Sequence, residues 1–472
     1  MSWSPSIPLY SGVHFSPSIP DPDNISLLDH NALPMIRDFH KHGIRIDIPF
    51  LNSLSKQIDG IKEVCEVNIW GEVGDWQYTH PKTSVRTPFS IGSRDHLSQL
   101  LFEDLKVQGD IPIPRTPKDA RYEVSEEILE PFRKNHPVVG EIIEWHKANK
   151  IQNTYTDVLP GWADSNSRVH TKFNPTQAAT GRLASSKPNL QNVPTRTTLG
   201  KEIRNAFIAD PGYVLLSSDY SQIEMVWAAH RSQDPTMMSV FINGEDLHLR
   251  TTCNVFNMEY RETAERYFGV ESKKLTSPED IAWYKYTKQF QRLPCKTVGF
   301  GVLYGQTSEG LQSSLASEGI HWTIEECTVF IESKFFEVYP GLKIMLEEDY
   351  RFARRYGMIC DDFGRVRLVP EAKSTLSWIS SEGTRKAGNH PEQGSAQGSI
   401  KIAMARLMPI LNKLGPLIVR ALLQIHDQLI FEVKESFVQE MAGIMREEME
   451  LATPLTIPVR ASSDIGYRWG DL

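Results

Sequence analysis

Nowhere in the 472 residues does an apolar run approach the roughly 20 residues that a bilayer-crossing helix needs. Residues 1–20 are rich in Ser and Pro and carry neither a basic flank nor an apolar stretch, so no export signal is read there and a soluble chain is expected. Cysteine is scarce. The five (Cys65, Cys253, Cys295, Cys327 and Cys360) are odd in number, widely spaced and never arranged as CxxC. That excludes a disulfide scaffold and a zinc ribbon, and it points to a reducing compartment. Positive charge is not in excess either: 51 Lys and Arg against 59 Asp and Glu leave a net charge of −8. A chain that coats nucleic acid by bulk charge is thereby excluded, but a local basic track is not. Internal repeats and low-complexity blocks are also missing.

What is present is ordinary globular composition, 40% hydrophobic and 23% charged, in a length that suits about three compact units. One stretch departs from the acidic average: between Arg168 and Asn205 stand Arg168, Lys172, Arg182, Lys187, Arg196, Lys201 and Arg204 against the single acid Glu202. Such a tract is either a solvated face or a phosphate-binding track. After a loosely ordered lead-in over 1–25, the pattern predicts a helix, a turn at Gly43 and a second helix within 26–66. It predicts a helix start at Ser93, helix over 124–150, and an irregular polar segment over 174–197. Tyr213 to Ser218 reads as a buried strand ending at Asp219. A helix follows, with Ser221 as N-cap and Glu224 three residues on, the spacing of a capping box. Residues 231–410 read as mainly helical. Leu417–Ile425 and Gln428–Val433 read as a tight hairpin with His426-Asp427 at its tip.

Two carboxylates, Asp219 and Asp427, thus end rigid strands. Each alone caps something or faces water; converging, they make an oxygen site suited to Mg²⁺, whose remaining ligands are water and phosphate. Spacing cannot show that they meet. A third element places Arg292, Lys296, Phe300 and Tyr304 four positions apart. On a helix they drift about 40° per step and form one stripe ~18 Å long. The stripe is either an amphipathic core face or a surface that grips polyphosphate with cations and stacks a sugar and base on aromatics.

Asp219-Tyr-Ser-Gln-Ile-Glu224, the Arg292–Gly305 helix and His426-Asp427 resemble motifs A, B and C of the family A (bacterial polymerase I type) DNA polymerases. Thr180-Gly-Arg182-Leu with Pro188-Asn-Leu-Gln191-Asn192-Val-Pro194, Gly244-Glu-Asp-Leu-His248 and Asn389-His-Pro-Glu-Gln393-Gly394 extend the resemblance, which covers about residue 26 to the C-terminus. It implies an α+β right-hand fold with an antiparallel-sheet palm and largely helical thumb and fingers. The implied limits are 1–49 for a lead-in and first palm-associated helix, 50–165 for the thumb, 166–224 and 406–472 for the palm, and 225–405 for the fingers.

The resemblance also implies roles. Asp219, Asp427 and the backbone carbonyl of Tyr220 would hold two Mg²⁺ ions, for which Mn²⁺ can substitute. Ser221, Gln222, Ile223, Glu224, His248, Arg292, Lys296, Phe300 and Tyr304 would surround the incoming dNTP, with Lys296 as proton donor to the leaving pyrophosphate. Glu224 would block a ribose 2′-hydroxyl, and Phe300, where Tyr is the alternative, goes with rejection of dideoxynucleotides. Arg182, Gln191, Asn192, Gly305, Arg385, Asn389, Gln393 and His426 would line the primer–template. Arg182 and Gln393 would read minor-groove acceptors common to all four base pairs. The implied partners are primer–template DNA and dNTPs, with any exonuclease, helicase or processivity factor on separate chains and no membrane. The setting would be the cytoplasm of a bacterium or a virus-infected cell.

Three departures stand out: Gln428 where the family has Glu, Val226 where Arg is common, and Pro294 inside motif B, which suggests that the helix begins near Arg292. No D-x-E signature of a proofreading exonuclease occurs before residue 170, so no proofreading is expected. A single-subunit RNA polymerase shares the three motifs, but Glu224 argues against it. A catalytically dead primer–template binder is the alternative from another class.

Overall fold

The computed structural model describes residues 20–109, 111–116, 120–195 and 197–472. Residues 1–19 of the expected lead-in fall outside them, as does Arg196, and the last four residues of that lead-in are instead the first turn of a helix that begins at Pro22. The chain forms two compact units: residues 43–170, 187–211 and 466–472 make one, and residues up to 42, 171–186 and 212–465 make the other.

The smaller unit pairs two long helices, Ile48–Val73 and Pro137–Ile151, around a core that includes Ile69, Leu97, Leu101, Val139 and Ile142. Asp47 starts the first of these helices by accepting the Phe50 N–H at 3.0 Å, and Ser93 accepts the His96 N–H as the sequence predicts. The turn at Gly43 is present and demands glycine: φ is +58°, and a Cβ there would lie 2.7 Å from the Val169 carbonyl oxygen. Directly after it comes a strand that the sequence did not betray. Ile44–Ile46 lies between Arg168–Val169 and Phe207–Ile208 in a three-stranded antiparallel sheet.

The larger unit holds α1 (Pro22–His42), β1 (Tyr213–Tyr220), α2 (Ile223–Ser232), α3 (Leu247–Val255), α4 (Leu293–Leu303), α5 (Pro340–Tyr356), α6 (Ser377–Leu414), β2 (Val419–Ile425), β3 (Gln428–Lys434), α7 (Val438–Glu450) and β4 (Ala461–Gly466). The four strands form one sheet in the order β2-β3-β1-β4. The hairpin β2–β3 forms as expected, and β3 pairs antiparallel with β1 from Gln428 opposite Asp219 to Lys434 opposite Tyr213. Alternation decides the faces. The Ser218 hydroxyl meets that of Ser463 on β4 at 2.6 Å and faces Met445 of α7. Ser217 and Asp219 therefore point from the opposite face.

Two local expectations fail. The capping box at Ser221 does not form: α2 starts at Ile223 after Gln222, which is left-handed at φ 56° and makes no side-chain cap bond. Glu224 is drawn elsewhere, as described below. Around Pro294 the α-helix does start at Leu293, but the chain before it is already helical over Pro278–Tyr286 and then widens over Thr287–Arg292. Leu293 N–H donates to the carbonyl five residues back, Lys288. This wider turn accommodates the proline ring where a regular turn would clash. A short hairpin, Met358–Cys360 with Val366–Leu368, also interrupts the helical stretch. No helix among the described residues is long and apolar enough to cross a membrane.

Candidate active site

The pairing of β1 with β3 brings Asp219 and Asp427 to one end of the sheet. Gln428 lies opposite Asp219, and the Tyr220 N–H donates to the Asp427 carbonyl at 3.3 Å. Burial pushes the Asp427 carboxyl up to about 7, with Glu224 and Asp219 adding to the effect and Arg182 opposing it. Burial likewise lifts Asp219 to about 6, a backbone hydrogen bond at Tyr220 pulling the other way and Asp464 reinforcing the rise. Among the described residues neither carboxylate makes an ion pair. Asp427 Oδ1 receives a long 3.4 Å bond from Gln397 Nε2.

Desolvated carboxylates with no cation of their own form a hard-oxygen donor set, which fits a divalent cation such as Mg²⁺. Among the described residues no group of three or more His, Cys, Asp or Glu side chains could hold an ion by itself. A cation here would depend on oxygens from water or a phosphate. At the departure noted in the sequence, Gln428 presents a neutral amide whose Nε2 donates to Ser217 Oγ. Asp464 was not singled out by sequence reasoning. It follows Ser463 on β4, so alternation places it on the face of Asp219.

Glu224 is nearly buried, and its carboxylate bridges Arg182, at 2.5 Å, and the Tyr304 hydroxyl. These two partners, not the helix start, take its oxygens, which is why the capping box is absent. Gln393 lies close enough to the Tyr304 hydroxyl to ease its ionisation, against the rise that burial and Glu224 impose. Residues from four separate segments thus meet beside Asp427: Arg182, Glu224, Tyr304 and Gln393.

The stripe on α4 divides into committed and uncommitted residues. Arg292 Nη2 holds both oxygens of Asp246 at 3.0 and 3.1 Å, and its guanidinium lies over the Tyr267 ring, while its buried Nε has no partner. Asp246 lies in the motif that drew attention to His248, but its pairing was not foreseen. His248 is buried, and burial lowers it to about 4, so it is neutral near pH 7; nearby Asp246 resists that shift, while Arg292 and Lys296 favour it. Its ring packs 5.0 Å from that of Phe300. Lys296 is exposed and has no acid partner among the described residues. Arg292 and Lys296 therefore precede Phe300 on one helical stretch, beside its contact with His248 of α3.

Gly305 has φ +66°, and a Cβ there would overlap Arg385, so the turn that ends α4 against α6 needs glycine. Asn389 and Gln393 continue along α6 from Arg385. His426 is exposed in the left-handed hairpin tip, at φ 53°. Ser221 N–H donates to the Arg460 carbonyl, and Ile223 is buried at the start of α2. Gln191 and Asn192 belong to the smaller unit, where the Asn192 carbonyl accepts from Tyr155 Oη at 2.6 Å.

A sheet presenting two unpaired carboxylates, together with a helix bearing cations and aromatics, defines the class of right-hand nucleotide polymerases. The family model described as DNA polymerase family A matches residues 75–471. The chain belongs to that family. It is similar to the thermostable DNA polymerase I of Thermus thermophilus, at 35% identity over 428 residues that cover 90% of this chain and 46% of the relative. It is similar also to DNA polymerase I of Deinococcus radiodurans, at 32% identity over 91% of this chain and 40% of the relative. The chain therefore spans about half the length of the curated relatives it matches. Among solved structures it is similar to the POL domain of Pol1 from M. smegmatis in complex with DNA primer-template and dNTP. There the TM-score is 0.78 and the identity 30%, covering 95% of this chain and 72% of that one.

Proposed function

We propose that this chain is a DNA-templated DNA polymerase, extending a primer 3′-hydroxyl with dNTPs and releasing pyrophosphate. The observation that carries the reading is the Asp219–Asp427 pair, desolvated and in no ion pair among the described residues, beside Arg182, Glu224 and Tyr304. Asp219, Asp427 and the Tyr220 carbonyl would hold two Mg²⁺ ions, or Mn²⁺ in their place. Held by these residues, such ions would supply Lewis acidity toward the attacking hydroxyl and positive charge near the leaving oxygens.

The chain's own residues do the rest. Lys296, exposed and uncommitted, meets the triphosphate and donates a proton to pyrophosphate. Arg292 shifts its guanidinium from Asp246 toward phosphate oxygens, and neutral His248 donates a hydrogen bond from its ring. Phe300 packs on the sugar, and Ser221, Gln222 and Ile223 border the nucleotide. Glu224, anchored by Arg182 and Tyr304, fills the space a ribose 2′-hydroxyl needs. Arg385, Asn389, Gln393, Gly305 and His426 follow the duplex, and Gln191 and Asn192 contact it from the loop before Pro194. In this reading 50–165 acts as thumb, 166–224 and 406–472 as palm, and 225–405 as fingers, in the cytoplasm of a bacterial or virus-infected cell.

Extension of a labelled primer on a DNA template with dNTPs and Mg²⁺ tests the proposal, with wild type run beside Asp427→Asn. Extension by wild type alone supports it. No extension by either moves the reading to a binder of primer–template. Glu224 disfavours the RNA polymerase alternative, which efficient ribonucleotide incorporation by wild type would restore.

A further inference from the structure

The start of α6 carries an aromatic residue that the site above does not use. Trp378 is 69% exposed. Among the described residues its ring meets no other ring and its indole N–H makes no hydrogen bond. A lone exposed apolar side chain is unremarkable, but three features converge at this one. First, Trp378 precedes Arg385 by seven residues, so on a regular helix the two point within about 20° of each other, ~10.5 Å apart along the axis. Asn389 lies on the same face one turn beyond. The helix face assigned to the duplex therefore continues outward past Arg385 and ends at Trp378.

Second, a cavity of about 340 Å³ flanks this stretch, lined by Gly305, Arg354, Ser381, Thr384 and Arg385. The Gly388 Cα lies against the Tyr350 ring of α5, and this crossing brings Arg354, one turn further along α5, beside Ser381. Third, neither Arg354 nor Arg385 makes an ion pair among the described residues. Of the two acids at the rim, Glu332 is paired with Lys343 at 2.7 Å, and Glu347 makes no ion pair among the described residues, so two acids and three cations line the cavity.

Two uncommitted guanidiniums followed by an exposed indole are what single-stranded nucleic acid requires: charge along the backbone and a flat face for a base. We infer that Arg354 and Trp378 form an entry track for the unpaired template strand, Trp378 stacking on a base ahead of the nascent pair. The inference rests on the polymerase reading above. At ~3.4 Å per stacked nucleotide, the span from Arg385 to Trp378 corresponds to about three nucleotides, so the second to fourth unpaired positions fall on the track and the first does not.

The test is binding of fluorescent primer–templates with overhangs of one and of five nucleotides, measured beside primer extension. Wild type is expected to bind the longer overhang more tightly. Trp378→Ala should lose about fivefold or more in affinity for it, Trp378→Phe should keep most of that affinity, and the one-nucleotide substrate should bind all three alike. Arg354→Gln should flatten the salt dependence for the long overhang by about one unit of slope. If wild type extends primers but Trp378→Ala matches it on the long overhang, the track is wrong and the polymerase reading stands. If Trp378→Ala weakens both substrates equally, its role is structural and the track is also wrong. Wild type that neither binds nor extends a primer–template overturns both.

Discussion

Two groups of buried carboxylates in the larger unit stand at the two ends of helix α2. At its first turn Glu224 stands beside Asp427 and, through it, Asp219. At its last turn Arg231 is surrounded by Asp349, Asp362 and Glu392: Nη2 reaches both oxygens of Asp349 at 3.1 Å, Nε reaches Asp362 at 3.1 Å, and Nη1 donates to Glu392. In the second group the fold supplies the cation, and the guanidinium ties α2 to α5, to α6 and to the hairpin at Met358–Leu368. In the first group Arg182 pairs with Glu224, and among the described residues Asp219 and Asp427 make no ion pair. Desolvation raises acids in both places, Glu392 and Asp427 each to about 7. Each group sets one guanidinium against three carboxylates; in the second all three touch the guanidinium, whereas in the first Arg182 touches Glu224 alone and leaves Asp219 and Asp427 open to a cation from outside. That difference separates a structural acid cluster from a candidate catalytic one, although burial alone makes them look alike.

The comparison can be broken at either end. Asp427→Asn should reduce primer extension by on the order of 10³-fold or more. It should also raise the thermal midpoint of the metal-free protein at pH 8, because it removes a desolvated charge; a lowered midpoint would place Asp427 among the structural acids. Arg231→Met should do the reverse. With three buried carboxylates left unpaired, stability should fall by about 3–5 kcal/mol in chemical denaturation, and a loss under 1 kcal/mol would mean that the cluster is not held by its cation.

Glu392 sharpens the contrast through pH. Its folded-state pKa lies above the ordinary value, so the folded chain binds more protons than the unfolded one between roughly pH 4.5 and 7, and this group's contribution to stability falls as pH rises through that window. Glu392→Gln should therefore gain on wild type from pH 5 to pH 8 in denaturant midpoint; a constant difference would refute the shift. The smallest effect is one of selectivity. Glu224→Ala should improve ribonucleotide incorporation relative to deoxyribonucleotide by about 10- to 100-fold, read from the two kcat/KM values. An unchanged ratio would remove Glu224 from the sugar pocket.

The strand to Asp219 and the hairpin carrying Asp427 were legible because runs of Val, Leu and Ile bounded by polar residues leave few alternatives. Their pairing was not, since alternation fixes which face a residue takes but not which strand lies beside it. The spacing of Ser221 and Glu224 matched a capping box, yet Arg182 and Tyr304 offered the carboxylate better partners than the helix start did. Those contacts come from distant segments and leave no local trace. Pro294 suggested that a helix begins near Arg292, but the chain is already helical from Pro278, and the wider turn that admits the proline has no composition signature. The strand Ile44–Ile46 and the hairpin at Met358–Leu368 are three residues per strand, too short for period-2 alternation to stand out beside long helices. Asp246 lay within a recognised motif, but its partner Arg292 is 46 residues away and leaves no local trace.

The most direct measurement of the central claim, that Asp219 and Asp427 leave a place for an external cation, is the thermal midpoint against Mg²⁺ concentration in the presence of a dNTP. Wild type, Asp427→Asn and Glu392→Gln should be compared. The account predicts a rise with Mg²⁺ in wild type and Glu392→Gln and a flat response in Asp427→Asn. An equal rise in all three would place the cation elsewhere and contradict it.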